Sequence, residues 1–146
     1  MKKKYLIIII LSLIAIVNAT YLSQKAYYFQ TLESYTGTSV CDINDTMSCS
    51  IVLQSSYSKV FGVPFPYIAL AVYPVILVIA FLGIRRQSLV PIKIISGLSF
   101  AGMLFNFFIM YREIVFVKAF CVLCFICTLI IISIFTISRL IINNKK

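Results

Sequence analysis

Of 146 residues, 62% are hydrophobic and only 12% are charged, with a mean hydropathy of +1.05. That balance excludes a soluble globular domain, whose water-facing surface needs far more charge. The chain also has no His, which excludes Cys-His nucleophilic catalysis, His-ligated zinc and His-ligated haem.

The chain opens with MKKKYLIIIILSLIAIVNAT, a basic start, an apolar stretch and a Val17-Asn18-Ala19 segment of the kind cleaved after secretory signals. The uncharged window nevertheless runs on from Tyr5 to Gln24, about a full membrane span, and is read as a retained first helix. Three further windows lack any charge: Val60 to Ile84, Ile94 to Tyr111 and Ala119 to Ser138. Each is close to the ~20 residues that cross a bilayer as helix. The predicted fold is an all-α membrane protein: one domain, 1–146, forming a four-transmembrane-helix bundle with spans near 5–25, 66–84, 92–111 and 119–142. Short connections at RRQSLVPIK and at Arg112 to Lys118 imply an up-down-up-down order.

The formal net charge of +9 follows this topology. With the first span running outward from the cytoplasm, Lys2, Lys3, Lys4, Arg85, Arg86, Lys93, Arg139, Lys145 and Lys146 are cytoplasmic. Only Lys25, Lys59, Arg112 and Lys118 lie outside, together with all four acids, Glu33, Asp42, Asp45 and Glu113. Such a positive-inside bias predicts a multi-pass protein of the inner or plasma membrane with both termini cytoplasmic. The basic residues thus report orientation, and no nucleic-acid partner is expected.

The one long polar region runs from about Ala26 to Pro66. Within it Ser48 is placed to cap a short extracytoplasmic half-helix whose Ile51, Val52 and Leu53 meet lipid or protein. Gly62 and Pro64 break it, and Pro66 opens the second span. This half-helix is expected over the outer mouth of the bundle.

Four of the five cysteines form two pairs in contrasting surroundings. Cys41 and Cys49 bracket the polar loop CDINDTMSC, which is expected to lie in water and to swing on the neighbouring Gly37-Thr38-Ser39. Cys121 and Cys124 form CVLC in the expected first turn of the last span, where unsatisfied N–H groups and the helix dipole stabilise a thiolate. Cys121, nearer the helix start and Lys118, is the better candidate for exchange with an incoming thiol; Cys124 lies one turn deeper, within reach of a lipid-soluble oxidant. Thiol–disulfide exchange needs only thiolates in line, with no metal and no general base.

Other readings stand beside this one. The loop pair is equally consistent with a structural staple, and the chain with a small structural or transport membrane protein carrying incidental disulfides. A four-thiolate zinc site is disfavoured by the C-x7-C spacing and the apolar Phe120, Val122 and Leu123. Cys127 reads as a packing residue, and Asn106 as an interhelical hydrogen-bonding group in preference to a ligand donor.

The motifs together resemble the vitamin K epoxide reductase family over nearly the whole chain: Cys41 and Cys49 in C-x7-C, Ser55 six residues on, Phe61-Gly62-Val63-Pro64, then Cys121 and Cys124. The resemblance implies a four-helix bundle around a quinone of menaquinone, ubiquinone or phylloquinone type. It implies Cys121 and Cys124 as the active redox pair, with Cys124 meeting the quinone, and Ser55 beside the quinone headgroup. Cys41 and Cys49 would then relay electrons from a separate thioredoxin-like or DsbA-like extracytoplasmic protein. Animal members carry a Tyr where this chain has Thr128, and an Asn in the second span where residues Tyr67 to Ile84 have neither Asn nor Gln. These departures favour a disulfide-generating enzyme of bacterial type, without a fused thioredoxin-like domain, over a vitamin K quinone or epoxide reductase.

Overall fold

A computed structural model describes residues 2–31 and 40–146. Its four long helices are α1 (Lys2–Thr31), α3 (Phe65–Arg86), α4 (Leu89–Arg112) and α5 (Val122–Asn144), and a short helix α2 (Cys49–Gln54) stands between α1 and α3. A π-helical turn, Glu113–Val117, extends α4. All four long helices are long and apolar enough to cross a membrane, so the chain is a multi-pass membrane protein. In hydrocarbon every backbone N–H and C=O must be satisfied within the segment, which is why these runs are helical without amphipathic patterning.

The helices close into a ring, α1 on α3, α3 on α4, α4 on α5 and α5 on α1. Only Gln87 and Ser88 separate α3 from α4, and Gln87 ends α3 in the left-handed region with its N–H bonded to the Gly83 carbonyl at 3.0 Å. Gly83 also admits the buried Tyr5 ring between α3 and α1. A Cβ at this position would lie 2.5 Å from Tyr5 Cε1.

The interior has two apolar regions. One, around Tyr5, Ile8, Tyr73, Ile76, Ile92 and Ile134, fills the half of the bundle away from the paired cysteines and includes Cys127. The other, around Leu22, Val52, Leu53, Phe65 and Ile109, encloses all four paired cysteines. Exposed apolar side chains such as Ile14, Val17, Val78, Phe81 and Phe107 clothe the outside, as lipid contact allows.

The cysteine end carries a cap built as its residues dictate. Ser48 is the N-cap of α2, its side chain accepting from the Ile51 N–H at 3.3 Å. Val52 and Leu53 face inward while Ile51 is exposed. After a 3₁₀ turn, Ser56–Ser58, strands β1 (Lys59–Val60) and β2 (Val63–Pro64) pair antiparallel, Val60 opposite Val63. Phe61 and Gly62 both take positive φ, 53° and 77°, as a two-residue primed hairpin turn requires. The Gly62 and Pro64 break expected from sequence is therefore a small hairpin, and Pro66 lies at the N-terminus of α3.

Two expectations are corrected. The segment from Arg112 to Lys118 is not an irregular loop: it continues α4 as a π-helical turn to Val117, and Glu113 is 1% exposed, its Oε1 without a hydrogen-bond partner among the described residues. Lys118, at φ 55°, makes the turn towards α5. Likewise Cys41 and Cys49 are buried, not in water. The expected hinge Gly37-Thr38-Ser39 and the acid Glu33 lie outside the described residues.

Candidate redox site

The loop from Cys41 to Cys49 is closed by a disulfide, with Cα atoms 5.8 Å apart. Asp42 ties the loop to the start of α2: it accepts from Ser48 Oγ at 2.8 Å and the Ser50 N–H at 3.1 Å, and also from Ser50 Oγ. Within the loop the Ile43 N–H donates to the Met47 carbonyl at 2.9 Å. One further backbone bond, Phe120 N–H to Thr46 carbonyl at 2.7 Å, fastens the loop to the entry of α5. These bonds seat Cys49 on the bundle with no exposed surface, whereas Cys41 keeps 6%.

Cys121 and Cys124 form the second disulfide, with Cα atoms 5.2 Å apart. Cys121 is the N-cap of α5, one position before the helical turn in which sequence placed it, and its sulfur accepts from the Cys124 N–H at 3.3 Å. A sulfur at this point faces the unsatisfied amides of a helix start, where negative charge is stabilised. The decisive distance joins the two pairs: Cys49 Sγ lies 3.1 Å from Cys121 Sγ. The order of sulfurs is thus Cys41, Cys49, Cys121, Cys124, leading from the rim of the cap into the bundle.

One turn beyond Cys124, a cavity of about 220 Å³ opens between the four long helices. Leu22, Phe65, Val72, Phe105 and Ile131 give it apolar walls, and Tyr73, Asn106 and Cys127 are its polar members. A dry cavity of ~150 Å³ lined by apolar side chains holds benzene, so this one has room for a substituted six-membered ring. The residues present therefore suit a quinone headgroup. Cys127, buried and unpaired to another cysteine, forms part of the wall where Cys124 does not. Its sulfur accepts from Asn18 Nδ2 at 3.0 Å, and the Tyr73 hydroxyl donates to its carbonyl at 3.2 Å, bonds that tie α1 and α3 to α5. Sequence reasoning assigned Cys127 to packing; its i+3 spacing from Cys124 was the available sign that it continues the same face inward.

Ser55 is not brought to this wall. It sits at the junction of α2 and the 3₁₀ turn, half-buried, with Oγ accepting from the Tyr57 N–H at 3.1 Å.

Four membrane-length helices with two abutting cysteine pairs at one end define a membrane thiol oxidoreductase. The sequence profile of the vitamin K epoxide reductase family matches residues 6–139, and the chain belongs to that family. Its members are quinone-reducing thiol oxidoreductases. Among curated proteins no match is found.

Proposed function

We propose that this protein generates disulfides, carrying electrons from a separate thioredoxin-like or DsbA-like protein through Cys41 and Cys49 to Cys121 and Cys124, and from there to a quinone. The reading rests above all on the 3.1 Å approach of Cys49 Sγ to Cys121 Sγ. The cysteine end faces outside the cytoplasm, where disulfides persist, because the opposite end carries the basic majority of the chain.

The order of burial assigns the steps. Cys41, the more accessible of its pair and adjacent to the 88% exposed Val40, is the sulfur that a partner thiolate attacks. The Cys41–Cys49 bond breaks, a partner–Cys41 disulfide forms, and the second partner thiol displaces Cys41, so the partner leaves oxidised and the loop holds two thiols. Cys49 loses its proton and attacks Cys121 as the thiolate; the Cys121–Cys124 bond breaks, and Cys124 leaves as a thiolate that takes up the proton Cys49 released or one from solvent. Attack of Cys41 on Cys49 restores the loop disulfide and frees Cys121. Cys121 and Cys124 now hold two electrons and two protons beside the cavity. A quinone supplies a lipid-soluble acceptor for both.

Trapping tests the relay. In a Cys41→Ala/Cys124→Ala variant the resolving sulfurs are gone, so on addition of a thiol oxidant such as diamide, which takes up the two electrons and two protons, a Cys49–Cys121 disulfide accumulates and is read by mass spectrometry of the non-reduced digest. Cys124→Ala alone abolishes hydroquinone formation, whereas Cys49→Ala blocks turnover with the protein partner and leaves reduction of quinone by a small dithiol. Normal partner oxidation by Cys124→Ala rules the scheme out.

A further inference from the structure

The cavity wall is apolar except at three residues, and two of these have their polar groups engaged. The Tyr73 hydroxyl donates to the Cys127 carbonyl at 3.2 Å, and the Cys127 sulfur receives the Asn18 amide at 3.0 Å. The third, Asn106, is different. Its Nδ2 lies 2.8 Å from the Gly102 carbonyl one turn back on α4. Only a nitrogen donates to a carbonyl oxygen, so this contact settles which way the amide is turned. It uses one of the two amide N–H groups and leaves the other without a protein acceptor among the described residues.

The far side of the amide is held from α5. Thr128 Oγ1 stands 3.5 Å from Asn106 Oδ1 and 3.0 Å from the Cys124 carbonyl. The single hydroxyl proton goes chiefly to the nearer Cys124 carbonyl and is shared with the amide oxygen, so one side chain stands between the cavity-wall amide and the backbone of the redox pair. Threonine takes this place because a short branched side chain on a helix bonds back to the carbonyl four residues earlier while its oxygen still faces α4.

A quinone ring presents two carbonyl oxygens and few other recognisable groups, and negative charge gathers on those oxygens as the ring is reduced. An oriented N–H in a water-poor cavity is the group that binds such an oxygen and stabilises the charge that develops there. We propose that Asn106 donates a hydrogen bond to a ring oxygen of the quinone, and that Thr128 is a positioning residue that holds the amide and registers it against Cys124. This assignment rests on the quinone reading above. It places the oxygen-binding donor on the third span, so the second span, which carries no Asn or Gln, need not supply one.

The test uses the full chain in lipid nanodiscs and a short-tailed naphthoquinone labelled with carbon-13 at its carbonyls. Affinity is measured by titration and the carbonyl stretch by infrared difference spectroscopy. In the wild type the stretch of one carbonyl is lowered by the hydrogen bond. Asn106→Leu, which keeps the branched shape and removes the N–H, raises that band to the position of the unbonded carbonyl and weakens binding about tenfold, the effect of one such bond. Thr128→Val leaves the donor present but unheld: the band broadens and binding weakens ~2–3-fold. Thr128→Ser, which restores the hydroxyl, returns the wild-type band. An unshifted band and wild-type affinity in Asn106→Leu overturn the assignment while leaving the quinone reading intact. Failure of the wild type to bind quinone overturns both. If Asn106→Leu does not fold, the contrast between Thr128→Val and Thr128→Ser decides, identical bands in the two overturning the proposal.

Discussion

Asp42 shows how much a single side chain governs the site. Its carboxylate gathers Ser48 and Ser50 at the start of α2, the turn that presents Cys49 to Cys121. Charge-assisted bonds of this kind are shorter and stronger than neutral ones, and they close an N-terminus that would otherwise expose unsatisfied amides. Asp42→Ala is therefore expected to cost about 1–2 kcal/mol of stability and to speed reduction of the Cys41–Cys49 disulfide by a small soluble dithiol. Thermal unfolding in detergent and thiol-trapping kinetics measure the two effects. Asp42 is legible in the sequence as a residue beside a cysteine; its partners six and eight positions on are not, because a turn must first bring them round. Glu113 is the opposite case. Sequence assigned it to a loop by its charge, but the π turn carries it inside, where burial follows from the packing of α2 and the 3₁₀ turn against the end of α4.

At the scale of elements, contact between α1 and α3 is the most extensive in the bundle and depends on Gly83. Without hydrophobic drive between helices in lipid, close approach of backbones supplies much of the association, and small residues permit it. Gly83→Ala forces the Tyr5 ring aside and is expected to lower stability by about 1–3 kcal/mol, as overpacking does in other cores, with a fall in the detergent melting temperature as the measure. The helices themselves were nearly all readable. The first was expected to end near residue 25 and instead runs to Thr31; at 1.5 Å per residue its 30 residues reach about 45 Å, well beyond the ~30 Å hydrocarbon core. The charge on Lys25 ends the apolar window, but it does not end the helix, because Ala26 is still buried against the cysteine cap. The hairpin at Phe61 and Gly62 was legible as a break and no more, since two-residue strands leave no alternating pattern to read.

For the whole molecule, the distribution of charge relative to the bundle predicts orientation. The four helices bring Lys25, Lys59, Arg112 and Lys118 towards the cysteine end, and the remaining nine basic residues towards the other. Alkaline phosphatase fused after Lys118 is expected to be active, and the same enzyme fused after Lys146 inactive, because it folds only outside the cytoplasm. The reverse result would invert the bundle and put the cysteines in a reducing compartment.

Spans, the charge bias between their ends and the cysteine pairs are properties of consecutive residues: hydrocarbon demands length without charge, and charge asymmetry is counted loop by loop. The sequence by itself therefore determined the number of helices and the identity of the sulfur atoms. Only tertiary structure decided that Cys49 meets Cys121 across 72 positions, that Cys127 joins the cavity wall while Ser55 caps the outer turn, and that Asn106 shares a hydroxyl with the redox helix. Such contacts depend on how far each helix is rotated and slid against its neighbours. In a chain apolar on every face no periodic stripe announces that rotation, so it is fixed by packing alone.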